Sequence, residues 1–168
     1  MSKVSPAPLS TRLGSAGGRV LRTRWLMRAP IRVYKSGLGF LFGSRLLMLE
    51  HIGRSSGARR YVVLEVFGHP APDVYLIVSG FGANAQWYRN LQADPAARVW
   101  VGRRRSVRAR AERLSGPAAD QALDAYVALH GKAWDRFKPV VEDTLGQAVE
   151  RGSDLPILAL SLTATAGA

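Results

Sequence analysis

The stretch HIGRSSGARRYVVLEV, residues 51–66, predicts a β-hairpin. Hydrophobic segments typical of strands, RLLMLEH at 45–51 and RYVVLEVF at 60–67, lie on either side of a short polar turn. The turn is built from glycine, serine and arginine, and glycine and serine are common in tight turns. Because strands joined by so few residues are antiparallel, the stretch favours a fold based on an antiparallel sheet.

The turn within this stretch collects groups that bind anions. Its two glycines let backbone N–H groups converge, its three arginines supply fixed positive charge, and its two serines add hydroxyl donors. These residues are Gly53, Arg54, Ser55, Ser56, Gly57, Arg59 and Arg60. The set suits a phosphate or a chain of carboxylates, and a solvated surface turn is the alternative interpretation.

Short strands and helices follow the hairpin along the chain. Glycine, proline and aspartate predict a turn at GHPAPD (68–73), and Pro139 predicts a break in the last helical region. The predicted strands are 45–51, 60–67, 74–79, 97–102, 105–114 and 155–162, and the predicted helices are 85–93, 115–131 and 133–152. This order lacks the regular alternation of a doubly wound α/β sheet, so it favours an α+β fold, a small barrel with helical covers.

Composition limits the partners and the compartment. The 168 residues suffice for one domain, and the formal net charge of +12 favours an anionic partner, whether nucleic acid, membrane surface or phosphorylated ligand. The chain has no cysteine and its three histidines are scattered, so we expect no disulfide and no metal site. It shows neither a signal peptide nor an apolar run of the ~20 residues that span a bilayer, so we expect a cytoplasmic protein.

The N-terminal part differs in character from the rest. Residues 1–18 are rich in serine, proline, alanine and glycine, which predicts a disordered leader. Residues 19–43 mix arginines with large apolar side chains, which predicts a basic amphipathic helical segment. This segment either covers one end of the core or touches the inner face of the cell membrane. Residues 44–168 are then the barrel domain.

A second stretch, SGFGANAQWYRNLQADP at 79–95, places a glycine loop directly before a short predicted helix. Backbone amides and the helix dipole at such a position favour an anion or the polar edge of a ring. Packing of Trp87 in the core is the alternative interpretation.

Together, the GRSSGARR turn between strands, the SGFG loop, the WYRNLQADP helix and the following VWVG strand resemble the deazaflavin-dependent nitroreductase family. The resemblance covers roughly residues 45–162, and members of the family are common in actinobacteria. It implies a split β-barrel related to flavin-binding barrels. It also implies binding of the 8-hydroxy-5-deazaflavin coenzyme F420 and hydride transfer from its reduced form to a small acceptor, such as a quinone, a nitroaromatic or an enone-like compound.

The resemblance also implies which residues form the site. The residues that would hold the phosphate and the acidic glutamate tail are Arg54, Ser55, Ser56 and Arg60. The residues that would run along the deazaflavin are Tyr61, Val62, Val63, Leu64 and Glu65. The residues that would line the ring are Ile77, Val78, Ser79 and Gly80. The residues that would cover the phosphate or the ring from the short helix are Gln86, Trp87, Tyr88, Arg89 and Asn90. Trp134 falls where family members place an aromatic residue over the substrate pocket.

The chain departs from the family pattern at several positions. Many members carry Lys or Arg where this chain has Ser55, and Glu65 and Trp134 occupy places comparable to those of tyrosines that help activate the acceptor. No catalytic residue is therefore assigned. The titrating candidates near the motifs are His51, Glu65 and His130, and each has a structural role as its alternative.

Three other functions compete with an F420-dependent oxidoreductase. The first is an FMN-dependent reductase on the same barrel, although one phosphate explains the arginine-rich turn less well than a long acidic tail does. The second is a non-catalytic barrel that holds a cofactor or lipid, or docks on a membrane through residues 19–43. Nucleic-acid binding ranks last, because no aromatic residues alternate with the arginines of 105–114. The acceptor and the oligomeric state stay open.

Overall fold

The computed structural model describes residues 30–80 and 82–163. They form strands, helices and 3-10 turns in an α+β order. The strands are β1 (Leu46–Ile52), β2 (Arg59–Glu65), β3 (Gly68–Ala71), β4 (Val74–Val78), β5 (Ala96–Val101), β6 (Arg104–Leu114) and β7 (Ile157–Leu162). The longer helices are α1 (Gln86–Ala93) and α2 (Pro117–Leu145), the 3-10 turns are Leu38–Phe42 and Gly82–Asn84, and residues 30–35 are also helical.

The strands form one curled sheet in the order β2-β1-β5-β6-β7-β4-β3, and every neighbouring pair is antiparallel. The curl is strong enough that residues of β2, at one edge, line the same cavity as Val78 of β4 near the other edge. The predicted barrel-like antiparallel sheet with helical covers is therefore confirmed.

The core lies on the concave face of the sheet. Leu47 and Leu49 of β1 point into it together with Val99 of β5, and the short helix α1 adds Leu91 from above. A second cluster lies between α2 and the β3–β4–β7 end of the sheet, where Leu123 is buried. The two clusters place both helices against the sheet, so the space between them becomes the cleft of the molecule.

The turn predicted over 68–73 is wrong in its first half. Residues Gly68–Ala71 form β3 and pair with β4, and only Pro72 and Asp73 make the reversal. A strand containing Pro70 is tolerated here because β3 is the edge of the sheet, where a missing N–H leaves no ladder hydrogen bond unmade.

The helical region after residue 115 also differs from its prediction. The predicted boundary between helices 115–131 and 133–152 corresponds to a kink at His130, whose backbone leaves the helical conformation (φ −132°, ψ 31°). The further break predicted near Pro139 is wrong, because α2 continues through that proline. Buried Trp134 and Val141 anchor this part of the helix in the core and hold it together around the proline. The helix then ends at Gly146 in the left-handed conformation, so the predicted helical residues beyond it are not helical.

Only part of the predicted N-terminal segments falls on described residues. The predicted leader, 1–18, and residues 19–29 of the predicted amphipathic segment lie outside the described residues. The described remainder of that segment packs on β1 through Tyr34, whose hydroxyl donates to the Leu46 carbonyl at 2.7 Å. No helix among the described residues has the length and apolar character needed to cross a membrane.

Candidate functional site

Two adjoining cavities lie in the cleft between the first hairpin and the helices. One has a volume of about 510 Å³ and is lined mainly by polar residues, and the other has a volume of about 630 Å³ and is lined mainly by apolar residues. Val62, Gln86 and Trp87 line both of them. The cleft is therefore one elongated space with a basic end and an apolar end.

The basic end is built on the β1–β2 turn. The Gly53 N–H donates to the Ala58 carbonyl at 2.8 Å, and the Gly57 N–H donates back to the Gly53 carbonyl at 2.7 Å. Gly57 has a φ of +63°, which a residue with a side chain adopts only with strain. This closed turn presents Ser55 and Ser56 to the basic cavity.

Arg54 leaves the turn toward α1 and is held there by two side chains of the helix. Its Nη1 donates to Gln86 Oε1 at 3.0 Å and to Asn90 Oδ1 at 2.9 Å. Its backbone N–H donates to the same Asn90 oxygen at 3.2 Å. Gln86 and Asn90 are four residues apart and so lie on one face of α1. The guanidinium is thus oriented before any ligand arrives.

His51 lies behind this arginine, at the floor of the basic cavity. The side chain is only 4% exposed, and its Nδ1 lies 3.1 Å from Asn90 Nδ2. Burial lowers the pKa of His51 below its ordinary value, and the charge of Arg60 lowers it further, although a hydrogen bond with the Ile52 backbone acts in the opposite direction. The imidazole is therefore neutral at pH 7.

The two arginines at the start of β2 have different surroundings. Arg60 lies opposite His51 in the sheet register and lines the basic cavity. Arg59 points to the other face of the strand, where its Nε lies 3.9 Å from the carboxylate of buried Glu50. Among the described residues, the arginines that line the basic cavity are therefore Arg54 and Arg60.

The outer edge of β2 offers free backbone groups to the cleft. Gly53 bonds to Ala58 at one end of the hairpin, and Val66 bonds to Arg45 at the other, so the β1–β2 hydrogen bonds fall on the even-numbered residues of β2. The N–H and C=O groups of the odd-numbered residues then point away from β1. Three of these residues, Tyr61, Val63 and Glu65, line the cleft.

The apolar end is closed by α2. Tyr126 stacks on Phe67 with ring centroids 4.2 Å apart, and Phe137 of the same helix lies against Gly80, where a Cβ would be 2.7 Å from its ring. The Tyr126 side chain is 6% exposed, and its hydroxyl forms no hydrogen bond with the described residues. Burial raises its pKa above the ordinary value, and the nearby Glu65 carboxylate raises it further.

Most of the residues predicted from the resemblance line this cleft. The structure brings together Arg54, Ser55, Ser56, Arg60, Tyr61, Val62, Val63, Leu64, Glu65, Val78, Gly80, Gln86, Trp87 and Asn90. Their role toward a ligand stays a prediction.

Four of the predicted cofactor residues do not line the cleft. Ile77 and Tyr88 are buried in the core, because alternate residues of β4 and the inner face of α1 point there. Ser79 is buried with its hydroxyl donating to the Gly82 carbonyl at 2.6 Å. Arg89 donates to the Ala83 carbonyl at 3.1 Å and so fastens α1 to the preceding turn. These four residues support the site from outside it.

Trp134 does not line the cleft either. It is buried behind the cavity wall, with its ring edge-to-face with Tyr126 at 6.1 Å and near Phe137 at 6.3 Å. Tyr126 before the kink at His130 and Phe137 after it line the cleft, and Trp134 does not. The aromatic side chains that line the apolar cavity from α2 are therefore Tyr126 and Phe137.

Several lining residues were not among the predicted cofactor and substrate residues, although Gly53 was named in the anion-binding turn and His51 as a titrating candidate. They are His51, Gly53, Phe67, Asn84, Ala85, Tyr126, Phe137 and Thr144. Those on α2 lie 60 or more positions after the hairpin, and no motif marks them. The spacing of Leu123 and Tyr126 indicates a helix face, but it does not show that the face borders a ligand cavity.

Most of the chain matches the sequence model of one protein family. The model of the F420H(2)-dependent quinone reductase family matches residues 26–141, more than half of the chain. A Mycobacterium tuberculosis protein whose name places it among the F420H(2)-dependent quinone reductases is 37% identical over 76 residues, which cover 44% of this chain. The match spans 63% of that relative, less than two thirds of its length.

Solved structures show the same fold. One described as an F420-H2 dependent reductase superposes with a TM-score of 0.50 at 19% identity, over 70% of this chain and 94% of that chain. Another, described as a domain-swapped dimer, gives a TM-score of 0.54 at 18% identity, over 83% of this chain and 99% of that chain. These likenesses confirm the split β-barrel. With the matched residues spanning the hairpin, α1 and most of α2, the chain belongs to the F420H(2)-dependent quinone reductase family.

Proposed function

We propose that the protein is an F420-dependent oxidoreductase that reduces a quinone. The phosphate and glutamate tail of the coenzyme would occupy the basic end of the cleft, and its ring would lie along β2 toward the apolar end. The observation that carries the proposal is the continuity of the two cavities through Val62, Gln86 and Trp87. A ligand that is anionic at one end and aromatic at the other matches such a space.

The donors at the basic end fit a tail with several negative charges. Arg54 is fixed by Gln86 and Asn90 and keeps its remaining N–H groups for a ligand, and Arg60 adds a second charge. A guanidinium pairs well with phosphate and carboxylate oxygens. FMN has a single phosphate, so it would leave some of these arginine and turn donors without an anionic partner.

The edge of β2 fits the ring. The free backbone groups of Tyr61 and Val63 provide alternating donors and acceptors, as the polar edge of a deazaflavin requires. The Trp87 indole and the Val62 side chain supply apolar surface beside them. Backbone groups on a strand are held more rigidly than side chains, so this edge would fix the ring position.

The apolar end would bind the acceptor. Reduced F420 supplies a hydride when bound, and a quinone that takes up a hydride and a proton becomes a hydroquinone. Tyr126 has a free hydroxyl in this wall, and its raised pKa keeps the phenol protonated at neutral pH. It would donate a hydrogen bond to a carbonyl oxygen of the acceptor, while Phe67 and Phe137 exclude water.

A fluorescence titration tests the cofactor assignment. We expect F420 to bind more tightly than FMN. Arg54→Ala and Arg60→Ala should each weaken F420 binding by about tenfold, because each removes a charge-assisted contact. Arg110→Ala is the matched control, because Arg110 is exposed on β6 outside both cavities. Binding of FMN alone would indicate the FMN reductase, and binding of neither would contradict a flavin-like site.

We further propose that one end of the molecule contacts an anionic membrane surface, as predicted for residues 19–43. The 3-10 turn Leu38–Phe42 exposes Phe40 (51%) and Leu41 (67%). Phe40 also lines a third cavity, of about 420 Å³, together with Arg103 and Arg105. Exposed apolar side chains beside two arginines suit insertion among acyl chains below anionic headgroups.

Charge and rigidity support this second proposal. The 49 residues before Glu50 contain nine Lys and Arg and no Asp or Glu. The turn is fixed to the barrel, since a Cβ on Gly39 would lie 2.1 Å from the Tyr34 ring, which itself is bound to β1. The apolar side chains are therefore presented outward by a rigid support. A quinone is an apolar substrate, so contact with lipid would bring the acceptor near the enzyme.

Vesicle sedimentation tests the membrane contact. We expect the full chain to bind vesicles of phosphatidylcholine and phosphatidylglycerol, and to release them at high salt. The double variant Phe40→Ser/Leu41→Ser should bind about tenfold more weakly, because it removes the inserted side chains. The control is Leu129→Ser/Val140→Ser, which changes exposed apolar residues on α2. Equal binding by the two double variants would overturn the proposal.

A further inference from the structure

The hydrogen bonds around Asn90 leave only one orientation for its amide group. The Asn90 Oδ1 accepts two hydrogen bonds from Arg54, one from the backbone N–H and one from Nη1. Both of these groups are donors only, so the oxygen must face Arg54. The Nδ2 group of Asn90 then points in the opposite direction, toward His51 Nδ1 at 3.1 Å.

This orientation determines the protonation of His51. Because the Asn90 amide nitrogen is a donor, His51 Nδ1 must accept and so carries no proton. The ring proton is then on Nε2, and the imidazole is neutral. Asn90 is itself 5% exposed, so turning its amide over would bury a donor against the two Arg54 donors.

We propose that His51 is a positioning residue for Arg54: its neutral imidazole fixes the Asn90 amide, which in turn orients the arginine toward the anionic part of the ligand. The chain of contacts runs from His51 through Asn90 to Arg54, and Gln86 supports the same guanidinium from one turn earlier on α1. The inference deepens the proposed function, on whose anionic ligand it rests.

The charged groups near His51 also favour its neutral form. Arg54 of the turn and Arg60 of β2 both face the basic cavity with it. The neighbouring Glu50 points to the other face of β1, where it pairs with Arg59, and α1 presents uncharged Gln86 and Asn90. Protonation of His51 would therefore add a third positive charge beside two arginines. It would also place an N–H against the Asn90 amide donor.

Two variants separate the hydrogen bond that His51 Nδ1 accepts from the space that its ring fills. His51→Asn keeps an oxygen acceptor close to the position of Nδ1 but cannot titrate, and His51→Phe keeps a ring without an acceptor. We expect F420 to bind His51→Asn within about threefold of the wild type at pH 7.5, and His51→Phe about tenfold more weakly. A tail-less deazaflavin should bind all three proteins alike, because only the anionic tail meets Arg54.

The pH dependence gives a second comparison. Tail binding to the wild type should weaken as the pH falls below the lowered pKa of His51, because protonation releases Asn90, whereas binding to His51→Asn should change less. If His51→Phe binds F420 as tightly as the wild type, or if the wild type and His51→Asn share one pH profile, the positioning role is wrong.

Two measurements need no ligand. Nitrogen-15 spectra of labelled protein should show His51 with an unprotonated Nδ1 and a protonated Nε2 at pH 7.5, and the opposite tautomer would overturn the proposal. Since folding lowers the pKa of His51 below about 6.5, the unfolded chain takes up the proton first, and stability falls below that pH. The loss of unfolding free energy from pH 7.5 to 5.5 should be smaller in His51→Asn. These results stand even if the wild type fails to bind F420, which would count against the proposed function alone.

Discussion

Single side chains divide the cleft into a basic end, which would hold the coenzyme tail, and an apolar end, which would meet the acceptor. The GRSSGARR turn and the WYRNL helix could be identified from the sequence because each collects donors within a few residues. Tyr126 could not, since it lies 60 positions after the hairpin and resembles any other apolar residue of a helix face. The folded chain brings Tyr126 into the lining of the same cavity as Val62.

Removing that hydroxyl should affect the acceptor and leave the coenzyme bound. In Tyr126→Phe we expect F420 affinity within about twofold of the wild type and kcat/KM for a quinone reduced by roughly tenfold, the value of about one hydrogen bond. In the wild type, the rate of quinone reduction should be level from pH 7 to pH 9, because the raised pKa of Tyr126 keeps its phenol protonated in that range.

Steady-state reduction of menadione, followed with F420 titrations in parallel, measures both effects of the Tyr126→Phe substitution. Phe67→Leu is a useful comparison, because it alters the same wall without removing a polar group. An unchanged quinone rate in Tyr126→Phe would show that the acceptor is held elsewhere.

At the scale of the element, α2 shows where sequence periodicity succeeds and where it fails. Its start at Pro117 follows from a proline at the first turn. Its end was predicted too late, at residue 152, because Gly146, which adopts φ +69°, stops the helix after Leu145. The kink at His130 lies next to the predicted boundary between helices 115–131 and 133–152, whereas the break predicted near Pro139 from the proline alone was wrong. Packing of Trp134 and Val141 against the sheet decides the outcome.

Two glycines of this helix should respond to alanine in opposite directions. Gly131 lies within the helix, and no neighbouring atom lies within 4 Å of the place that an alanine methyl group would occupy. Gly131→Ala should therefore stabilise the protein by about 0.5–1 kcal/mol. Gly146 caps the helix at positive φ with equally open space, so Gly146→Ala should destabilise it by about 1 kcal/mol.

Urea unfolding of the two alanine variants tests this directly. Because neither glycine has a neighbour to clash with, the difference between the variants reports backbone conformation alone. If both substitutions changed the free energy of unfolding in the same direction, helix propensity, and not the left-handed cap, would control the C-terminal end of α2.

For the whole molecule, six of the seven strands that the described residues form were predicted, because apolar residues mark them locally, as Val107, Ala109 and Ala111 do in β6. The edge strand β3, with its glycine and proline, was not. The strand order β2-β1-β5-β6-β7-β4-β3 was not predicted. Pairings between strands far apart in the sequence, such as β4 with β7, depend on which hydrophobic faces meet when the chain folds. The basic end of the site is local in sequence and was largely predicted. The apolar end is assembled from distant segments, and its α2 wall was not.

This separation has a consequence for how the family can diversify. The hairpin and α1, which would hold the coenzyme, are contiguous in the chain from residue 46 to residue 93, whereas Tyr126, Phe137 and Thr144 come from α2 alone. Mutations in one helix could therefore change which compounds are reduced without disturbing the coenzyme. A library restricted to these three positions is the natural starting point for directing the enzyme toward new substrates.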